Sequence, residues 1–228
     1  MQYSYFMLDV IAVFWFLSVW VGYTLFAKKK ARTVSCLSFE LRRKRTDWML
    51  QMLTREVRLA DVSLLSTLER NVSFFASSSM LILAGILTAI ASSDTIAKVL
   101  HLVMPWRVSP DGLLQFKLLF LVLIYVFAFF QFTWALRQYG FGGVLIGAAP
   151  DGKSLSQAEL MQYANKAAKV IDQAAHSFNY GLRAIYFSLA TLAWFIDVRL
   201  FMLSTVVVML VMKHREFHSK ALKALQQV

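Results

Sequence analysis

The chain has 228 residues, of which 58% are hydrophobic, 14% aromatic and 16% charged, with a formal net charge of +11. A soluble domain carries roughly 45–50% apolar and about 25% charged residues, so both departures point to lipid as the solvent. The length leaves no room for a second independent core, and Cys36, the single cysteine, excludes an intrachain disulfide and a thiolate metal site. The basic residues alternate with long uncharged runs, a pattern of membrane loops that argues against a nucleic-acid partner.

A bilayer core of about 30 Å needs about 20 helical residues to cross it. Residues 7–26 meet that, with Asp9 at the start and Trp15 and Trp20 inside. No basic segment precedes this run and Lys28, Lys29, Lys30 and Arg32 follow it, so it reads as a retained span rather than a cleaved signal. Residues 39–70 predict an amphipathic helix outside the lipid. Its apolar stripe is Met49, Leu53, Val57, Ala60, Leu64 and Leu68, and Glu40 stands four residues before Lys44. Residues 72–91 form an uncharged second span. Residues 113–134 form a third, with Lys117 one turn in, where its ammonium is expected to snorkel to the surface.

After Arg137, residues 139–149 carry four glycines and no charge, unlike a solvated loop. Such a segment either packs against the bundle or dips back into a cavity, because bare backbone cannot face lipid. A second amphipathic helix, residues 156–180, opens on Ser156 with Glu159 placed for a capping box. Its stripe runs through Leu160, Ala164, Ala167 or Ala168, Ile171, Ala175 and Phe178. Residues 183–212 are apolar except for Asp197 and Arg199, and one straight helix there would reach roughly 45 Å. Two short spans, residues 182–196 and 199–212, turning at Asp197, are the alternative.

Charge counting separates the two sides. Residues 27–70 carry eleven Lys or Arg, residues 135–183 five and residues 213–228 four, whereas residues 92–112 carry only Lys98 and Arg107. The positive-inside rule puts the three basic groups in the cytoplasm, which gives five crossings with the N-terminus outside. Four crossings with one long tilted helix is the other solution.

Recognisable catalytic chemistry is missing: no phosphate loop, no dinucleotide fingerprint, no His-Glu-x-x-His. No catalytic residue, cofactor or enzyme activity is therefore expected. His214 and His218 are four apart but lack a third ligand, so no metal site is expected either. Arg55, Arg58 and Asp61 recur every three residues, which on a helix pairs Arg58 with Asp61. They read as a basic face toward anionic headgroups, or as a buried ion-pair lattice. Asn71 and the Ser77, Ser78, Ser79 run open the second span, and such small polar faces serve tight helix packing or line a pore. Arg183 lies either at the membrane surface as an anchor, or inside a span with a partner or water. With Asn179, Arg137, Asn71 and the three serines it forms a candidate ion path.

These segments together resemble a family of bacterial and plant membrane proteins known as domain of unknown function 599. The resemblance spans nearly the whole chain. It rests on Arg55-Glu-Val-Arg-Leu-Ala-Asp61, Asn71 to Ser79, Phe132-Thr-Trp-Ala-Leu-Arg-Gln-Tyr139, Gly147-Ala-Ala-Pro150, His176 to Phe187 and Arg215-Glu-Phe217. Asp197-Val198-Arg199 departs from it, standing where the family implies a proline-containing break. The resemblance implies an unassigned activity and carries over no substrate.

The sequence thus predicts an all-α transmembrane bundle of four or five spans in a bacterial inner membrane, with two amphipathic cytoplasmic helices and a cytoplasmic C-terminus. Few spans and small-residue faces imply a homo-oligomer. The leading function is a small-ion or anion channel or transporter, the alternative a non-enzymatic scaffold or accessory subunit that holds anionic lipid or a partner, and a membrane-embedded enzyme ranks behind both.

Overall fold

The computed structural model describes residues 2–31, 33–103 and 113–226; Arg107 lies outside them. Eight α-helices follow in chain order: α1 Gln2–Lys30, α2 Leu37–Thr54, α3 Leu59–Ala91, α4 Ser93–Val103, α5 Leu113–Gly147, α6 Gln157–Leu192, α7 Val198–His218 and α8 Lys220–Gln226. No strand occurs among the described residues. Among the described residues, three segments are long and apolar enough to cross a membrane: Met7–Lys30, Leu59–Ala91 and Leu113–Gly147.

α5 and α6 form the central antiparallel pair, matching Lys117 to Trp194, Tyr125 to Ser188 and Gln138 to Ser177. The ring of Phe132 occupies the place of the missing side chain at Gly181, whose Cβ would stand 2.5 Å from Phe132 Cε1. α3 lies antiparallel along α5 on a stripe of Asp61, Leu65, Val72, Ala76, Ser79 and Leu83. These spacings of three, four and seven put one narrow face inward. α7 folds back on α6, where Ser204 reaches the Ala190 carbonyl at 3.1 Å and Phe201 stacks on Trp194 at 4.7 Å. α1 runs close to α7, and its large rings hold it away from α5 and α6. Phe16 alone meets Trp20, Phe120, Phe187 and Phe201. Lipid gives no hydrophobic drive between helices, so this interdigitation supplies the cohesion.

Several expected boundaries move. The helix expected over 39–70 is two helices, because Arg55 is extended (φ −84°, ψ 136°) and α3 starts anew at Leu59. The stripe fails at the same place: Val57 is 73% exposed, and Leu65 is buried in place of Leu64. Residues 139–147 are the last turns of α5 and not a loop. Their glycines let neighbours approach, since a Cβ on Gly142 would stand 3.1 Å from Ile171 Cγ1 and one on Gly143 3.3 Å from Leu65 Cδ2. Ser156 and Glu159 do form the capping box, but the helix they start runs unbroken to Leu192, so segments 156–180 and 182–196 are joined. The chain then breaks at Asp197, whose extended backbone and side chain accepting from the Arg199 N–H at 2.7 Å cap α7. Residues 183–212 are therefore two antiparallel helices.

Gly181→Val should force the Phe132 ring out of its seat, at a cost of about 1–3 kcal/mol for overpacking. Thermal unfolding in detergent should show a lower midpoint, and Phe132→Leu in the same chain should recover part of it. An unchanged midpoint would mean that the two helices are not in contact there.

Candidate functional site

The two ends of the bundle differ in chemistry. One end gathers Lys28 to Lys30, α2, the α5–α6 connection and the end of α7. Contacts that tie them include Ser38 to Glu216 and Lys153 to Glu56. The other end gathers Asp9, Ser93, Gln115, Lys117 and Trp194.

At the basic end, two buried carboxylates strap α2 across the bundle. Asp172 of α6, 7% exposed, receives Arg42 Nε at 2.9 Å and Arg45 Nη1 at 2.7 Å, with His176 Nε2 3.3 Å away. Burial by itself opposes ionisation of this carboxyl. The hydrogen bond and charge of His176, with Arg45 and Arg42, outweigh it and hold Asp172 down at about 2. Asp61, 1% exposed, accepts from Trp48 Nε1 at 2.7 Å and from Arg55 Nη1 at 2.5 Å. It sits in the first turn of α3, where the helix dipole favours a negative charge.

Arg58 does not pair with Asp61, contrary to the three-residue spacing. The chain is not helical at 55–58, so that spacing no longer brings them together. Arg58 instead donates to the carbonyls of Ala149 at 2.7 Å and Pro150 at 2.8 Å, just past the end of α5. A guanidinium there meets the negative end of the α5 dipole, and its Nη1 also reaches the Ile146 carbonyl in the last turn of α5 at 3.4 Å.

Beside Asp172 lies a cavity of about 440 Å³ between α1, α2, α5 and α6. Lys28, Ser38, Arg42, Gln138, His176, Tyr180 and Arg183 line it. Arg183 is half-buried, with its guanidinium 5.4 Å from the Tyr23 ring and 5.7 Å from the Tyr180 ring. It forms no ion pair with a carboxylate among the described residues. A stacked guanidinium keeps its in-plane N–H groups for another acceptor. The cavity therefore presents fixed positive charge and directed donors, the complement of an oxyanion.

Only part of the expected ion path meets there. Asn179 is not among the residues around the cavity. Arg137 is exposed and lies over Phe141 at 5.8 Å, about 100° around α5 from its buried neighbour Gln138. Ser79 is buried and bonded to the Phe75 carbonyl at 2.8 Å, whereas Ser77 is exposed on a shallow groove with Ser73 and Arg70. Asn71 is exposed. Successive residues turn by about 100° on a helix, so Ser77, Ser78 and Ser79 point three ways.

The opposite end holds a cluster that the sequence reading missed. Lys117 is 4% exposed and does not snorkel: its Nζ donates to the Trp194 carbonyl at 2.9 Å and stands 3.9 Å from Asp9. Trp194 Nε1–H donates to Asp9. The end of α6 offers a carbonyl at the level of an acidic group, and together they hold the ammonium better than a distant headgroup would. Among the described residues no cluster of three or more metal-ligating side chains occurs.

The fold and its polar ends define an all-helical protein with three helices apolar enough for a membrane. The chain belongs to the family DUF599, a protein family of unknown function, whose profile matches residues 11–221. No curated protein and no solved structure matches it.

Asp172 should register in acid unfolding. Its carboxyl lies at about 2 in the folded chain against an ordinary 3.8, so its stabilisation is present above the ordinary value and is lost as pH falls through about 2. Unfolding midpoints in detergent should fall between pH 4 and about 2, and Asp172→Asn should flatten that segment of the curve. A slope identical in the variant would remove Asp172 as its source.

Proposed function

We propose that the protein is an integral plasma-membrane protein that binds an anionic group in the cavity at its basic end. The observation that carries this is Arg183, half-buried beside Lys28 and Arg42 with two aromatic rings and no carboxylate partner among the described residues. A half-buried guanidinium between helices keeps its position only if something offsets its desolvation, and an anion in the cavity does so. The basic end lies in the cytoplasm and the N-terminus outside, because Lys and Arg concentrate there. In this arrangement α1, α3, α5, the last turns of α6, and α7 make five crossings.

Binding fits better than conduction through one chain. Between the cavity and the Asp9–Lys117 cluster lies a layer of Phe16, Phe120, Phe187, Trp194 and Phe201, each at most 9% exposed. An ion crossing that layer would pass between packed rings, and the hydroxyls among them, Ser188, Thr191 and Thr205, already donate to helix carbonyls. Conduction would need a path between subunits of a homo-oligomer, and the groove of Ser66, Ser73 and Ser77 on α3 is the surface that favours that second reading.

Isothermal titration of the detergent-purified protein with inorganic phosphate should show binding. Arg183→Ala should weaken it by at least about tenfold, or ~1.4 kcal/mol, and Arg183→Lys should weaken it less. Vesicles containing the wild type should pass no anion. Titration without heat or Arg183 dependence would sink the anion site, and Arg183-dependent flux would favour the channel. For sidedness, a cysteine at exposed position 35 in a Cys36→Ser chain should resist an impermeant maleimide in intact cells. Its labelling from outside would reverse the topology.

A further inference from the structure

We propose that the anion held in the cavity is the headgroup phosphate of a membrane phospholipid, whose acyl chains lie along the fissure between α1 and α5. This rests on the reading of the cavity as an anion site and names its ligand.

The first argument is continuity of surface. α1 and α5 run in the same direction, since Phe16 meets Phe120 at 5.4 Å and Trp20 meets Phe127 at 5.6 Å. Farther toward the basic end the ring contacts between these helices stop. There the cavity opens, with Ala27 and Ala31 on one side and Gln138 on the other. Phe127, Trp134 and Gln138 follow at spacings of seven and four, so they share one stripe of α5. Phe127 is 41% exposed, Trp134 50%, and Gln138 is buried against the cavity. An exposed aromatic track thus leads into a basic pocket, the shape of an amphiphile with an anionic head. A tryptophan at that junction matches the side chain that settles at headgroup level.

Charge supplies the second argument. Lys28, Arg42 and Arg183 border the cavity, and Arg45 stands behind Arg42 on Asp172. Two carboxylates lie close by, Asp172 on Arg42 and Glu216 accepting from Ser38 at 2.6 Å. Four cations against two carboxylates leave an excess of two positive charges, apart from His176. A phosphomonoester carries roughly −1.5 to −2 at neutral pH, so it balances that excess more fully than a phosphodiester does. Arg183 offers the paired N–H edge that fits two phosphate oxygens. The third argument is size: about 440 Å³ lies within the range of about 300–1,000 Å³ for sites that take a small organic ligand, which leaves space for the glycerol ester beside the phosphate.

The test pairs two ligands on one protein preparation. Native mass spectrometry with phosphatidic acid, phosphatidylglycerol and phosphatidylcholine reads the lipid, and titration with inorganic phosphate reads the bare anion. One bound lipid is expected, retained in the order phosphatidic acid, phosphatidylglycerol, phosphatidylcholine. Lys28→Gln, a change at an exposed helix position, should weaken both ligands several-fold. Trp134→Ala, also exposed, should reduce lipid retention and leave phosphate affinity unchanged. Phosphate binding without lipid preference, or lipid retention indifferent to Trp134→Ala, would overturn the lipid assignment and leave a soluble anion as the ligand. Binding of neither by folded wild type would overturn the anion site itself.

Discussion

A buried carboxylate has to be surrounded by counter-charge, and Asp172 sets the arrangement of the basic end through that requirement. It sits on the inward face of α6, near the middle of a 36-residue helix, and two arginines of α2 reach it. α2 has a mixed, mostly polar surface and no apolar face wide enough to seat it alone. Asp172 holds its first half, and Asp61 holds its end through Trp48 and Arg55. Because α2 is tied at both points it lies across the mouth of α1, α5 and α6, and it closes the floor of the cavity with Ser38 and Arg42.

From that floor the bundle divides into three levels. Charge and hydrogen bonding dominate the basic end, packed rings fill the middle, and Asp9, Lys117 and Trp194 close the other end. In the middle level the buried side chains are mostly aromatic or small, with the hydroxyls of Ser188, Thr191 and Thr205 bonded to helix carbonyls among them. Polar groups appear where an opposite charge, a helix carbonyl, a ring or another polar side chain receives them, as Gln138 receives Ser177 and Tyr125 receives Ser188. Arg58 on the end of α5 and Lys117 on the end of α6 are two cases of one rule: a cation placed where a helix runs out of donors. Arg183 differs from both, because its neighbours are two rings and a cavity.

Much of the fold was legible from residue order. Long uncharged runs marked the three membrane-length helices, and Ser156 with Glu159 fixed the start of α6. The break at 55–58 was hidden because an apolar residue recurs at the right spacing through Val57, while the force that ends α2 comes from Asp61, Trp48 and Arg58 in three dimensions. For the same reason helical spacing paired Asp61 with the wrong arginine. Lys117 misled because its partners are 108 residues before it and 77 after it, at Asp9 and Trp194. Arg183 stood out as a charge at a membrane boundary, but its neighbours did not: Lys28, Arg42 and Gln138 come from three other helices. Asn179, close in sequence, does not reach the cavity.

The account depends on an anion lying against Arg183. A structure determined by electron cryomicroscopy in lipid nanodiscs, at a resolution that shows phosphate, tests this directly. The account expects density of phosphate size within hydrogen-bonding distance of Arg183, with Lys28 and Arg42 turned toward it. A cavity holding only ordered water, with Arg183 swung out to solvent or paired with a carboxylate, would contradict it.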